Sequence, residues 1–389
     1  MGVMSAGPQL YRRALILAVQ FLTAAAPLAI VPFMSLQVGR LTRGAAEASL
    51  WAAIVAAAPA STAIVSTPLW GRFAQGRSIS LLLFSTCVLT AVSYLAMAVA
   101  NDAATFAMGR ALQGAAGSGV ILILAIELSG APPERGYIDL QQAFSAGCMV
   151  GPVLGGWAFD HQRLPLILYG AAASLLVLAI WCALVFQTTD SDLRQEPDKG
   201  ADKAPTRTER GRNRRLIVAA VFGTAGAFGF VPFFAEWAAS RDAANFDATA
   251  IGMLHASAWF AAIVVLPIWN RVIDGAKAAR SIAISLLGSS AACAALSASA
   301  TAPWIFALRV THGAFHSGLN PALYAGVRRS SERERDLASA RTSLTLGQIL
   351  GPAFCGAVVP FAGADGALLV AAGLSAIGLL VLFGARGDR

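Results

Sequence analysis

Charged side chains are scarce in this sequence. Asp, Glu, Lys and Arg supply 13% of its 389 residues, about half the share found in an ordinary water-soluble domain. That deficit excludes a polar surface wrapped around a single apolar core. Cysteine offers no framework either. The five present (Cys87, Cys148, Cys182, Cys293 and Cys355) all sit in apolar runs, without the paired spacing of a disulfide scaffold or a zinc site. They read as small buried hydrophobes. No Gly-x-x-x-x-Gly-Lys-Ser/Thr segment occurs, so nothing suggests nucleotide-driven work. Nucleophile–base pairs and metal-ligand clusters are likewise lacking, so neither catalytic residues, a metal nor a cofactor is expected.

Hydrophobic sequence is what the chain has, at 57%. Apolar runs of about 20 residues, each able to cross a bilayer as a helix, recur along its whole length. Twelve can be drawn, from 14–38 and 47–70 at the start to 337–360 and 363–385 at the end, with 103–128, 136–158 and 303–327 among them. The first follows Arg12 and Arg13, is too long for a signal-peptide core and lacks a convincing cleavage site, so it is read as a retained helix. With both termini and every even-to-odd loop assigned to the cytoplasm, only Arg40, Arg43, Arg163 and Arg241 of the 29 basic residues fall outside. Arg110 and Arg309 lie within spans. This asymmetry predicts cytoplasmic termini and an even number of spans. The formal charge of +8 is thus a topology signal, scattered over short loops rather than gathered into a nucleic-acid footprint.

One long polar segment, 187–213, divides the chain into residues 1–186 and 214–389. Its Asp190, Asp192, Glu196, Asp198 and Asp202 precede Arg207, Arg210, Arg212, Arg214 and Arg215, a composition that cannot bury a core and predicts a cytoplasmic linker. The two flanking parts repeat each other. Val31-Pro32-Phe33 returns as Val231-Pro232-Phe233, and Pro68-Leu-Trp70 returns as Pro267-Ile-Trp269. Arg110-Ala-Leu-Gln-Gly114 returns as Arg309-Val-Thr-His-Gly313. Gly147, Gly151, Pro152 and Gly156 return as Gly347, Gly351, Pro352 and Gly356. Every offset is 199 or 200. The expected fold is an all-α integral membrane protein, twelve transmembrane helices in two pseudo-symmetric six-helix bundles related by an axis along the membrane normal.

Three motifs give this pattern a resemblance to the major facilitator superfamily over the whole chain. The loop from Pro68 to Arg77, with Arg72 and Arg77, resembles its cytoplasmic Gly-x-Leu-Ala-Asp-Arg-x-Gly-Arg signature, although Gln75 replaces the acid. The second half keeps an acid at the matching Asp274. Arg110-x-x-Gln113-Gly114-x-x-Gly117 resembles the arginine motif of the fourth span, associated in the family with proton coupling. Gly147-x-x-x-Gly151-Pro152-x-x-Gly155-Gly156 resembles the antiporter motif of the drug:proton antiporter branch. Glycines spaced by four also let two helices approach closely, and a proline permits a bend, whatever the family. Arg72, Arg77 and Glu127 form a candidate cytoplasmic ion-pair gate, against a plain reading as positive-inside anchors.

The resemblance implies rocker-switch transport, with spans 1, 4, 7 and 10 lining a central cavity. In the tenth, Arg309, His312, His316 and Asn320 fall within about 80° of one another on a helix, forming one polar stripe. Arg110 and Gln113 take the matching places in the fourth span, and Gln20 and Thr23 lie on one face of the first. Phe222, Phe228, Phe230, Phe233 and Phe234 read mainly as packing residues, of which one or two would form an apolar wall for the cargo. Gln141, Gln142, Trp259 and Gln348 are further candidates. Two arginines and two histidines face inward while the middle of the spans holds no Asp or Glu, which favours an anionic or acid-bearing cargo such as a siderophore, organic acid or drug. Candidate proton carriers are Arg110, His312 and His316, with Glu127, Asp139 and Glu236 in reserve, histidine being the side chain whose charge changes near neutral pH. A monomeric, proton-coupled exporter in a bacterial inner membrane is the leading expectation. An importer of organic anions or metal-loaded siderophores on the same fold is the nearest rival, and a membrane-embedded sensor or enzyme a more distant one.

Overall fold

The computed structural model describes residues 6–74, 77–117, 119, 121, 125, 133–186, 207–241, 246–273, 277–327 and 333–383, and all of their regular structure is helical. Each chain half opens the same way. Helix α1 (Ala6–Leu28) gives way to a 3-10 turn at Val31–Phe33 and the short α2 (Met34–Gly39). Later in the chain, α8 (Arg207–Gly229), a 3-10 turn at Val231–Phe233 and α9 (Phe234–Ala239) repeat that order. Pro32 and Pro232 stand at the start of the 3-10 turns, where a residue without an N–H interrupts the ladder of the helix before it. Between these openings run α3 (Ala45–Ala74), α4 (Ile79–Ala98), α5 (Ala103–Ala115), α6 (Pro133–Asp160) and α7 (Leu164–Phe186). After the second come α10 (Ala248–Val272), α11 (Ala278–Ser297), α12 (Ala302–His316), α13 (Leu319–Val327) and α14 (Arg333–Phe383).

Eight described stretches are long and apolar enough to cross a membrane. The last, Ser339–Phe383, has 45 residues and turns at Gly363, whose φ of 62° and ψ of −170° belong to backbone that only glycine adopts readily. It therefore holds two of the twelve expected runs, 337–360 and 363–385. The run 136–158 lies inside α6, whose polar residues dilute its hydropathy. The runs 103–128 and 303–327 are not continuous helices. α5 ends at Ala115 ahead of Gly117, whose φ is 67°, and α12 ends at His316 ahead of Ser317 and Gly318.

Large apolar side chains such as Val65, Leu69, Trp181, Trp304 and Phe361 are exposed. Such a girdle would aggregate in water and is suited to lipid. The buried core carries Phe33, Tyr94, Phe106, Phe230, Phe234 and Trp237. Helix pairs within each half include α1 with α6 and α8 with α14, whereas α6 with α10 and α3 with α14 join the first half to the second.

Candidate functional site

The glycine motif of α6 has two faces. A Cβ placed on Gly147, Gly151 or Gly155 would come 2.5, 2.2 or 1.9 Å from the carbonyl oxygens of Phe21, Ala25 and Ala29 on α1. Those glycines let two helix backbones touch. Gly156 faces the other way: its Cβ would lie 2.1 Å from the Ala248 carbonyl on α10, and one on Gly252 would lie 2.2 Å from that of Pro152. The motif is therefore both a packing seam inside the first half and part of the seam between halves. Pro152 is accommodated inside α6.

At the breaks after α5 and α12, the carbonyls freed by the missing helical turn must find donors, because lipid offers none. The indole Nε1 of Trp70 donates to the Ala115 carbonyl at 2.8 Å, and Trp269 donates to that of Ala314, also at 2.8 Å. Thr62 and Ser66 on α3 donate to the carbonyls of Ala111 and Gly114, and Ser285 on α11 to that of Phe315. A Cβ on Gly117 would lie 2.0 Å from the Trp70 ring, and one on Gly318 2.5 Å from the Trp269 ring. The glycines thus make room for the tryptophan caps. Trp70→Phe and Trp269→Phe keep most of the ring but leave a buried carbonyl unmet, a loss of about 1–3 kcal/mol each. Each is expected to lower the melting temperature of the purified protein in detergent, and the losses should add in the double variant because the caps belong to separate helix pairs. Unchanged melting of both single variants would show the indole N–H to be dispensable.

Between one and two turns before each break lies an arginine. Arg110 is buried; its Nε donates to the Val55 carbonyl at 3.4 Å and its Nη1 to Gln113 Oε1. Arg309 is buried as well, yet differently equipped. Its Nη2 lies 3.3 Å from His255 Nδ1, while Nε and Nη1 meet no acceptor among the described residues. The guanidinium stands 4.8 Å from the Phe234 ring centre and 5.3 Å from that of Phe230. Phe230 also meets the His312 ring edge-on at 5.6 Å, and His312 stacks with His316 at 5.9 Å. Both ring nitrogens of His312 lack a partner among the described residues. Phe228 lies edge-on to His316 at 6.1 Å. The stripe along the tenth expected span is thus brought together from Arg309 to His316. Asn320 lies beyond the break on α13 and is exposed. His255, a lone histidine on an apolar helix, gave no signal in sequence that it would reach an arginine.

The other expected site residues scatter. Gln20 and Thr23 on α1 are half-buried, and Thr23 Oγ1 spends its proton on the Val19 and Gln20 carbonyls of its own helix. Asp139 pairs with Arg13, joining the ends of α6 and α1. Glu236 is half-buried on α9. Arg72 is exposed, Arg77 lies over the Phe73 ring at 3.9 Å, and Gln75, Glu127 and Asp274 lie outside the described residues. Gln141 and Gln142 are exposed, Gln348 is half-buried, and Trp259 meets Phe144 across the α6–α10 seam with ring centres 5.8 Å apart.

At the end of that seam Asp160, the last residue of α6, caps the first turn of α10. Its Oδ1 accepts from the Ala248 amide at 2.8 Å, and its Oδ2 accepts from the Thr249 amide at 2.9 Å and Thr249 Oγ1 at 2.6 Å. Asp247 caps the same helix through the Ala250 amide at 2.7 Å. Partial burial works to raise the Asp160 carboxyl, but the three hydrogen bonds and nearby His161 outweigh it and hold the group below the ordinary 3.8. On the same side of the protein, Asp365 accepts from Trp237 Nε1 at 2.9 Å and pairs with Arg241.

Comparison with known proteins agrees with this architecture. The sequence profile of the Major Facilitator Superfamily matches residues 14–243 and again 216–388. The staphyloferrin B transporter of Staphylococcus aureus is 26% identical over 348 residues, 85% of this chain and 82% of that protein. The multidrug resistance protein MdtG of Salmonella choleraesuis is also 26% identical, over 40% of each chain. Among solved structures, a peptide transporter of the POT family superposes with a TM-score of 0.76 at 13% identity, covering 99% of this chain and 95% of the other. The human organic anion transporter MFSD10 superposes with a TM-score of 0.69 at 16% identity, covering 96% and 99%.

Proposed function

The chain belongs to the Major Facilitator Superfamily, and on that premise we propose that it exports a small acid-bearing organic molecule in exchange for protons. Membership makes it a multi-pass membrane protein and a secondary transporter rather than an enzyme. Our reading adds twelve spans in two six-helix bundles, residues 1–186 and 214–389, joined by a cytoplasmic linker at 187–213. Both termini are cytoplasmic, so the Asp160 end is periplasmic, and the chain works as a monomer in a bacterial inner membrane. The duplicated opening, the two tryptophan-capped breaks and the paired arginines support this division.

The observation that carries the acid-bearing cargo is Arg309, a buried guanidinium with two donor nitrogens that no acceptor among the described residues meets, beside His312 in the same condition. A buried cation without a counter-charge is costly, and a carboxylate with its two oxygens matches a guanidinium best. The relative that transports staphyloferrin B, similar over most of both chains, makes a siderophore the first cargo to test, ahead of organic acids and acidic drugs. The glycine motif of α6 supports the drug:proton antiporter branch.

Protons enter through His312 and His316. Arrival of a carboxylate beside them links their protonation to cargo binding, and opening to either side by rocking of the halves releases the two in opposite directions. Proteoliposomes of known orientation under an imposed pH gradient test this. Cargo should move against the proton flux, and His312→Ala and His316→Ala should flatten the dependence of transport on pH. Movement of cargo with the protons would favour the importer. Retained pH dependence in both variants would transfer the role to Asp139 or Glu236, or to Glu127.

A further inference from the structure

The two arginine sites are one structural element built twice, and the comparison between copies is informative. In the first, Gln113 supplies an oxygen to Arg110 and the Val55 carbonyl supplies another. The residue 199 positions on from Gln113 is His312, which forms no hydrogen bond with Arg309. Histidine 255 takes one guanidinium proton through Nδ1, leaving Nε and Nη1 unmet. Arg309 is 2% exposed and His312 4%. Phe230 lies against both, so the unmet groups flank one aromatic ring. No described carboxylate pairs with Arg309. Ring faces attract a guanidinium but accept no in-plane N–H bond of the strength an anion does. In either tautomer His312 offers one further N–H.

We propose that Arg309 and His312 form a binding site for one compact anion, a halide or a single carboxylate group, and that the Arg110 copy has no such site. The first copy is satisfied internally and serves the fold, whereas the second exchanged its internal acceptor for a donor and takes the acceptor from outside. For the carboxylate source this deepens the export reading, since the cargo's own acid group would be the occupant. For a halide it stands without that reading, as a resident counter-ion.

The test uses the purified full-length protein in detergent, melted at constant ionic strength in sodium isethionate, whose bulky sulfonate serves as the baseline, with chloride or acetate replacing it stepwise. The wild type should show a saturable rise of several degrees with at least one of the two. The variant His312→Gln, which gives Arg309 the acceptor of the first copy, should melt higher than the wild type in isethionate and lose the response. A response to chloride alone identifies a counter-ion; a response to acetate identifies the carboxylate source. Bromide-soaked crystals of the wild type supply a readout that needs no variant, with anomalous density expected beside Arg309 and none beside Arg110 if a halide is the occupant. A wild type whose melting ignores both anions, or a His312→Gln protein that keeps the full response, would overturn the site. Either result leaves proton-driven export open, and loss of export with the anion response intact leaves the site standing.

Discussion

Exchange of Gly155 for cysteine is expected to abolish transport and most of the folded yield, and the second exchange Ala29→Gly, which keeps the Ala29 carbonyl in place, is expected to restore neither. The duplication of the chain supplies the reason. On the α1–α6 seam a Cβ at Gly155 would lie 1.9 Å from the Ala29 carbonyl, with backbone on both sides and no flexible side chain to move. Two hundred residues later the same crossing, now between α8 and α14, has Cys355 at the motif position and Gly229 opposite. There a Cβ on Gly229 would come 2.7 Å from Cys355 Sγ and 2.8 Å from the Gly351 carbonyl. The chain has thus solved one helix crossing in two ways, small on α6 against alanine on α1, and larger on α14 against glycine on α8. Cysteine against alanine combines the two large choices. Overpacking costs about 1–3 kcal/mol where side chains can adjust, and contact with main chain on both helices puts this case at the upper end. Monodisperse yield on size exclusion and transport in proteoliposomes would check it. Near-normal behaviour of Gly155→Cys alone, or recovery in the double variant, would show that main-chain contact at this crossing does not set the helix separation.

Much of the architecture could be read from one-dimensional pattern because its causes are local or periodic. Apolar runs, the 199–200 residue repeat and glycines spaced by four are visible without tertiary contacts. The helix breaks were hidden. Arg110 to Gly119 and Arg309 to Gly318 read as continuous spans because Gly117 and Gly318 pass for close-packing residues. What distinguishes them is the indole of a tryptophan some 45 positions earlier, close in space but distant in sequence. The polar stripe on α12 was legible from its period. Its chemistry was not, since whether a buried donor is met depends on His255 from another helix. Thr23 shows the opposite error: a polar residue on an expected cavity face whose hydroxyl is consumed by its own backbone.

Replacement of Asp160 by alanine is expected to shift the protein toward the state open at the Asp160 end, by about 5–30-fold in population, a change of roughly one to two kcal/mol. Three hydrogen bonds from the first turn of α10 converge on this carboxylate, and the positive end of that helix adds to the attraction. Asp160 itself is exposed, so solvent screening keeps the total well below three times the worth of a buried charged bond. The latch joins α6 to α10 and so must break whenever the halves part at this end. Its pH dependence has a definite sign. The carboxyl sits below 3.8 while latched and returns to an ordinary value of about 3.9 when α10 withdraws. The contribution is therefore complete above that ordinary value and disappears only as pH falls through the lower, latched one. Between about pH 5 and 8 the group is ionised in both states, so it would not serve as the carrier in the proposed proton exchange. Cysteine labelling at the mouth of the α6–α10 seam should show faster modification in Asp160→Ala at every pH in that range, by a factor that stays constant. An Asp160→Ala effect that vanished toward pH 5 would instead mean that the wild-type latch titrates there, and would make this aspartate part of the proton path. A constant factor leaves the proposed proton coupling to the interior, where His312 lies one turn and His316 two turns from Arg309.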